Sequence, residues 1–339
     1  MSRNNDLMNF IQQIGWGAAK IAPLAGDASN RRYHRLHHPD GRVAVLMDAP
    51  PDKGENIAPF VDIATYLTGT GLSAPEIFAA NTERGFLLIE DLGDDLFARL
   101  ILVEPALELP LYQCAVDVLS HLHRQAMPEL EPYDARVMTP LATRAFDWYQ
   151  FGAEGAVDLS ARSRFLRDFH ALLAPLDTQP KVLIQRDYHA ENLLWIPERD
   201  GVARVGLLDF QDAMAGHPAY DLVSMLQDAR RDVPRAVEQA MIDRFLEQNP
   251  QDAIQFKTAY ALLGAQRNLR ILGGFSRLCL KAGKAQYIDL IPRVWAHIQT
   301  NLQHPVLRGI ADLIRETLPP PSQTVLDELR LKCATYPNR

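Results

Sequence analysis

Three residues between 182 and 212 have types and spacings that could do chemistry: Asp187, Asn192 five positions on, and Asp209. A carboxylate held on a rigid support can accept the proton of an attacking hydroxyl. An Asn carbonyl and a second carboxylate are hard oxygen donors, suited to Mg²⁺ on nucleotide phosphates. Each residue must be positioned by an element. Val182-Leu183-Ile184 is a short apolar run that ends abruptly in Gln185-Arg186-Asp187, as a buried strand does when it delivers polar groups to a cleft. Leu193 to Trp195 restarts a strand, Glu198-Arg199-Asp200-Gly201 turns the chain, and Val205 to Leu208 returns and ends in Asp209. A lone loop Asp is more often a turn former or a helix cap. The conjunction of all three with a hairpin is what points to phosphoryl transfer.

With Gln185-Arg186-Asp187, Asn192, Leu208-Asp209-Phe210-Gln211-Asp212 and Gly216-His217-Pro218-Ala219-Tyr220-Asp221-Leu222, the chain resembles the aminoglycoside-phosphotransferase-like (protein-kinase-like) superfamily of small-molecule kinases. The resemblance implies an α+β, bilobal protein-kinase-like fold. A small antiparallel-sheet N-lobe would cover 1–92, with a hinge at 89–93, and a larger, mainly helical C-lobe 93–339. It also implies ATP and Mg²⁺ as cofactors, Asp187 as base, Asn192 and Asp209 as metal ligands, and Asp221 as the residue that holds the loop. Gly26-Asp27-Ala28-Ser29-Asn30-Arg31-Arg32-Tyr33 together with Met47-Asp48-Ala49-Pro50-Pro51 is similar to a narrower group, the anomeric N-acetylmuramate/N-acetylglucosamine kinases of cell-wall recycling. That implies phosphorylation of an anomeric hydroxyl to a sugar 1-phosphate. Two positions depart from the superfamily pattern: 43–47 contains no Lys, and Gln185 stands where a His is usual. Arg31, Arg32 or Lys53 would then supply the missing charge.

In chain order, Leu7, Phe10, Ile11 and Ile14 predict a helix over 4–14. Strands follow at 20–24, in the low 30s and at 42–47, the last two joined across Pro39-Asp40-Gly41. The turn between the first two strands could lay the backbone N–H groups of Asp27, Ala28, Ser29 and Asn30 over phosphates, with Arg31 and Arg32 alongside. Residues 55–68 carry a helical stripe, with Glu55 and Asp62 expected on its solvated face. Residues 75–78 and 86–90 read as a second hairpin. Phe86 to Gly93 resembles the superfamily's interlobe hinge, so the backbone of Glu90, Asp91 and Leu92 is expected to meet adenine.

Helices are expected near 111–122 and 162–175, and the chain reads as all helix beyond Pro234. His121 and His123 are expected at a helix end rather than on a metal. The aromatics Phe146, Trp148, Tyr149 and Phe151 suit either a core or a sugar-binding wall. In 264–277, Arg267, Arg270 and Arg277 recur within a few turns. A bidentate Arg fits a carboxylate such as the lactyl group of N-acetylmuramate, whereas a polycationic aminoglycoside would want carboxylates. The candidate substrate contacts are Tyr188, His189, Gln211, Asp212, Arg267, Asn268 and Arg270.

The balance of 35 Lys+Arg against 42 Asp+Glu, net −7, argues against a nucleic-acid partner. Cys114, Cys279 and Cys333 are too few and too dispersed for a disulfide framework or a zinc site. No apolar run approaches the roughly 20 residues that span a bilayer, and the N-terminus resembles no signal peptide. A cytoplasmic monomer acting on a small sugar, with no membrane partner, is therefore expected. The alternatives are a kinase for another small alcohol (an aminoglycoside, choline or an amino-acid hydroxyl) and a non-catalytic nucleotide-binding pseudokinase.

Overall fold

The computed structural model describes residues 3–24 and 30–336. The first part of the chain runs α1 (Arg3–Gln13), β1 (Lys20–Pro23), β2 (Arg32–His37), β3 (Val43–Asp48), α2 (Ala58–Gly69), β4 (Ile77–Asn81), β5 (Phe86–Ile89), α3 (Phe97–Val103), α4 (Glu108–Leu122). It continues with α5 (Ala135–Ala142), α6 (Phe151–Glu154), α7 (Leu159–Leu173), β6 (Val182–Ile184), β7 (Leu193–Trp195), β8 (Val205–Leu207) and β9 (Met214–Gly216). The remainder is α8 (Ala219–Leu226), α9 (Arg235–Gln248), α10 (Ala253–Ala282), α11 (Ile291–Asn301), α12 (Arg308–Thr317) and α13 (Gln323–Leu331). A small antiparallel sheet and a mainly helical remainder are the architecture the sequence predicts.

Packing gathers these elements into two compact units, Met1–Pro128 with Ala190–Ala213 and Glu129–His189 with Met214–Arg339. This division does not coincide with residue 92. Helices α3 and α4 and the β7–β8 hairpin pack with the sheet, because Leu207 N–H donates to Ser73 O at 2.8 Å and Trp195 N–H to Asp95 O at 2.8 Å.

In the sheet-bearing unit the strand order is β1-β2-β3-β5-β4, antiparallel throughout. One face is closed by α1, whose Leu7, Phe10 and Ile11 pack with Trp16 against Leu36, Ala44, Leu46, Phe86 and Leu88. Buried Asp48, in the Met-Asp-Ala-Pro-Pro stretch, accepts from Arg3 Nε at 2.8 Å and so ties β3 to α1.

In the helical unit, β6 pairs with β9 in the register Ile184↔Met214. The 30-residue α10 starts at an Asp252 cap and ends at Gly283. Phe146 and Tyr149 are fully buried, so of the two readings of that aromatic run the core takes these two rings. Among the described residues no helix is long and apolar enough to cross a membrane.

Candidate active site

In the helical unit, the loop leaving β6 is fixed before Asp187 is reached. The backbone N–H groups of Gln185 and Arg186 donate to Asp221 Oδ2 at 2.6 Å and Oδ1 at 2.9 Å. Asp221 lies in the first turn of α8 and is fully buried. Burial pushes its carboxyl up to about 7, against the downward pull of the two N–H donors. Ser224 Oγ donates to Arg186 O at 3.2 Å, and the Arg186 guanidinium lies 5.5 Å from the Tyr133 ring centre. Held this way, Arg186 adopts φ 73, left-handed backbone that a non-glycine residue takes at a strain of about 1–3 kcal/mol. The next side chain, Asp187, has its direction set by that turn. Gln185 Nε2 is buried without a hydrogen-bond partner, so residue 185 braces the loop through its backbone amide rather than through that nitrogen.

The Asp187 side chain, 34 % exposed, opens on a cavity of about 190 Å³ within this unit, lined also by Arg144, Arg230, Arg267, Arg270 and Phe275. Arg270 Nη2 stands 3.7 Å from Asp187 Oδ1. Arg267 is 2 % exposed; its Nη1 donates to Gln227 O at 3.4 Å and its Nε has no partner. Burial alone would raise the Asp187 carboxyl, but Arg270, Arg267 and Arg186 outweigh it and hold the group below its ordinary value. Burial, then Arg230 and Arg267, push His189 down to about 3. The ring is therefore neutral, and its Nε2 accepts from Arg230 Nη1 at 3.2 Å.

The cavity wall is α10, fastened by buried amides. Asn268 Nδ2 donates to Gln227 Oε1 at 2.7 Å and Gly264 O at 2.8 Å, and Asn301 Nδ2 reaches the same Gln227 Oε1 at 2.8 Å. A Cβ on Gly264 would stand 2.5 Å from Asn301 Oδ1, so only glycine lets α11 approach this closely. Asn268 is fully buried and braces the wall instead of reaching the cavity. Farther along α10, a Cβ on Gly273 would stand 2.2 Å from both C and O of Arg144. The missing side chain is what lets the Arg144 backbone rest against α10, one turn from Arg270.

The sheet-bearing unit carries the other two residues. Strands β7 and β8 pair as a hairpin, Leu193↔Leu207, and Leu208 N–H donates to Asn192 O at 3.0 Å. Asn192 Nδ2 stands 3.4 Å from Asp209 Oδ2, and Gln211 Nε2 donates to Asp209 Oδ1 at 2.7 Å. Asp209 also adopts left-handed backbone, φ 56. The following Phe210 is fully buried and packs tilted against Phe60 of α2, ring centres 4.9 Å apart, which anchors the turn. One carboxylate and one carboxamide converge here. That donor set fits Mg²⁺, which takes one or two protein oxygens plus phosphates more readily than an all-protein cage.

Asp27, Ala28 and Ser29 lie outside the described residues. Just beyond them, Asn30 N–H donates to Glu55 Oε1 at 3.1 Å, Asn30 Nδ2 to Lys53 O at 3.4 Å, and Arg31 Nε to Glu55 Oε2 at 2.9 Å. Glu55 is thus a corrected expectation: its side chain is 13 % exposed and pairs with Arg31 instead of facing solvent. The Lys-free β3 leaves this Arg–Glu pair as a cation held by a carboxylate beside the loop. Arg32 is exposed on β2.

At the segment after β5, Glu90 N–H donates to Glu76 O at 2.8 Å, so that amide is committed within the sheet. Glu90 pairs with Arg199, while Arg35 bridges Asp91 at 2.6 Å and Asp94 at 2.8 Å. The Arg35 guanidinium is the first cause that holds the Asp94 carboxyl below its usual range.

A model of the phosphotransferase enzyme family matches residues 20–255 of this chain. The chain belongs to that family. An N-acetylmuramate/N-acetylglucosamine kinase of Caulobacter vibrioides is 38 % identical, across 88 % of this chain and 92 % of that protein. One from Pseudomonas aeruginosa is 33 % identical, across 88 % and 90 %. Among solved structures, a putative aminoglycoside phosphotransferase from Ralstonia eutropha superposes with TM-score 0.65 at 15 % identity, covering 90 % of this chain and 98 % of that one. At that identity the likeness establishes the protein-kinase-like fold.

In this phosphotransferase, Asp187, His189, Arg267 and Arg270 fall together in the helical unit, and Asn192, Asp209 and Gln211 together in the sheet-bearing one. Tyr188 is buried at 1 % exposure and Asp212 is exposed. Arg144 and Arg230, which line the cavity, went unnoticed in the sequence because neither stands in a motif. Glycine at 273 inside a long helix was the signal that could have led to Arg144.

Proposed function

We propose that this phosphotransferase transfers the γ-phosphoryl group of ATP to the anomeric hydroxyl of N-acetylmuramate or N-acetylglucosamine, giving the sugar 1-phosphate, in peptidoglycan recycling in the cytoplasm. The observation that carries this reading is the Asp187 carboxylate on the wall of a cavity whose other charged lining groups are arginines. The names of the relatives from Caulobacter and Pseudomonas support the same acceptor. Cationic acceptors such as choline or an aminoglycoside are disfavoured there by like charge.

In the reaction, the anomeric oxygen attacks the γ-phosphorus, the bond from that phosphorus to the β-phosphate bridging oxygen breaks, ADP leaves, and the hydroxyl proton passes to Asp187. Asn192 and Asp209 would hold Mg²⁺, which neutralises charge on the phosphates when bound. Asp27, Ala28, Ser29, Asn30, Arg31 and Arg32 are assigned to the phosphates. The backbone of Glu90, Asp91 and Leu92 is assigned to adenine, with the Glu90 carbonyl in place of its committed amide. The lobes of this reading are 1–92 and 93–339, in a monomer. Tyr188, His189, Gln211, Asp212, Arg267 and Arg270 are assigned to the acceptor, and Asn268 braces the wall that carries the last two.

Phosphorus NMR of product made from ATP and N-acetylmuramate tests acceptor and position at once: a 1-phosphate is expected. Asp187→Asn should lower kcat by about 10²–10⁴, the range of a positioned general base. A variant that turns over like the parent sinks the assignment.

A further inference from the structure

The cavity holds more positive charge than Asp187 balances, and one of its cations has no protein anion. The Arg144 guanidinium, exposed at the rim, has no hydrogen-bond or ion-pair partner among the described residues. Partial burial and then Arg270 and Arg277 oppose its charge. Its backbone is seated on α10: Arg144 C and O occupy the space that a side chain at Gly273 would need. Deeper in, Arg267 is 2 % exposed with an Nε that nothing satisfies. A cluster of this kind is electrostatically incomplete until an anion enters.

Between rim and floor stands Arg270, and its tie to Asp187 is long. At 3.7 Å it lies beyond hydrogen-bond range, so moving Arg270 breaks no hydrogen bond to that carboxylate. A carboxylate on an acceptor could instead be gripped by two parallel N–H donors at about 2.8 Å, the stronger arrangement. The other titratable groups facing Asp187 are Arg267 on the same helix as Arg270, Arg186 and the neutral His189 on its own loop, and Asp221 on α8. Arg270 is the partner that an incoming anion can take.

We propose that Arg144 and Arg270 together bind an acidic group on the acceptor sugar, and that binding it draws Arg270 off Asp187, so the acceptor's own charge readies the base. The inference rests on the acceptor reading above and adds a consequence to it. An acidic acceptor gains in kcat as well as in KM, whereas a neutral one meets a base still paired with Arg270. No proton moves in the exchange; both guanidiniums stay charged.

The test compares N-acetylmuramate with its lactyl methyl ester, the same sugar without the charge. The parent enzyme should favour the acid in kcat/KM by about 10-fold to 100-fold, the scale of a hydrogen-bonded charge pair, with part of that gain in kcat. Arg144→Gln should collapse the preference to within about threefold, mainly through the acid's KM, and Arg144→Lys should restore part of it. Arg270→Gln should bring the kcat values for acid and ester together, a change that a merely structural role would not make. Equal kcat values in the parent, or an undiminished preference in Arg144→Gln, overturn the proposal while leaving the acceptor reading intact. No product from either sugar refutes both.

Discussion

Gly273 and Gly274 stand side by side on α10, and the same substitution should act on them in opposite directions. A Cβ at Gly273 would lie 2.2 Å from Arg144 C and O and 2.6 Å from Ala145 N, well inside the 3.4 Å at which ordinary contact begins, and all three atoms are backbone. Backbone cannot rotate aside, so Gly273→Ala must push the 144–145 segment from the helix. Overpacking of this kind costs about 1–3 kcal/mol, offset by the roughly 1 kcal/mol that Ala gains over Gly in a helix interior. A net loss of up to about 2 kcal/mol is expected. At Gly274 nothing lies within 4 Å of the added carbon, so only the propensity gain remains and stability should rise by up to about 1 kcal/mol. In urea the two variants should bracket the parent, their midpoints about 1 M apart. Displacement of Arg144 by an ångström should also raise the acceptor KM of Gly273→Ala by about 10-fold to 100-fold. If the two variants unfold together, or Gly273→Ala keeps parental stability and KM, then Arg144 is not seated on that glycine and the account of the cavity rim fails.

Stability should also fall as pH drops from about 6.5 to 4. Burial is the first cause that depresses His189 to about 3 and His217 and His297 to about 4. In that window the unfolded chain binds protons that the folded chain refuses. Each ring's contribution is whole above its unfolded value and is lost at up to about 1.4 kcal/mol per pH unit as pH falls. Urea midpoints at pH 7.5 and 5 measure the loss, and His217→Gln should reduce it; equal midpoints in the parent would refute it. At the segment after β5, Arg35→Ala releases Asp91 and Asp94, and the KM for ATP should rise several-fold while the acceptor KM holds. Asp94 faces solvent, but Arg35 and Asp91 are largely buried, so stability should also fall, by about 1–3 kcal/mol. An unchanged KM for ATP would exclude these carboxylates from the nucleotide site.

Helices and the two N-terminal hairpins were legible because their apolar residues repeat at the period of the element that buries them. Strand β9 was not: three residues, Met214-Ala215-Gly216, show no period, and their partner β6 lies 30 positions away. Non-local pairing also hid Glu55. Its type and its neighbourhood say solvated helix face, and only Arg31, 24 residues earlier, makes it an ordering group. Asn268 read as a polar group on a substrate wall, but Gln227, itself held by Asn301, claims it. The positive φ of Arg186 and Asp209 left no mark in the sequence at all, because no glycine announces them. A strained turn by a bulky residue is legible only through what holds it, here Asp221 and Ser224 for one and Phe210 on Phe60 for the other.

The run from Val182 to Asp212 is continuous as sequence and divided as structure, with the boundary of the compact units between His189 and Ala190. The candidate base is built by the helical unit, through Asp221 and the arginine cavity. The candidate metal pair is built by the sheet-bearing unit, through the β7–β8 hairpin and α2. Each part has its own left-handed residue, Arg186 in one and Asp209 in the other, and its own buried anchor, Asp221 and Phe210. Substitutions along α10 can reshape the cavity beside Asp187, whereas the Asn192–Asp209 contact at 3.4 Å, the Gln211–Asp209 hydrogen bond and the Phe210–Phe60 ring contact lie within the sheet-bearing unit. In this chain α10 presents Arg267 and Arg270 to the cavity beside Asp187.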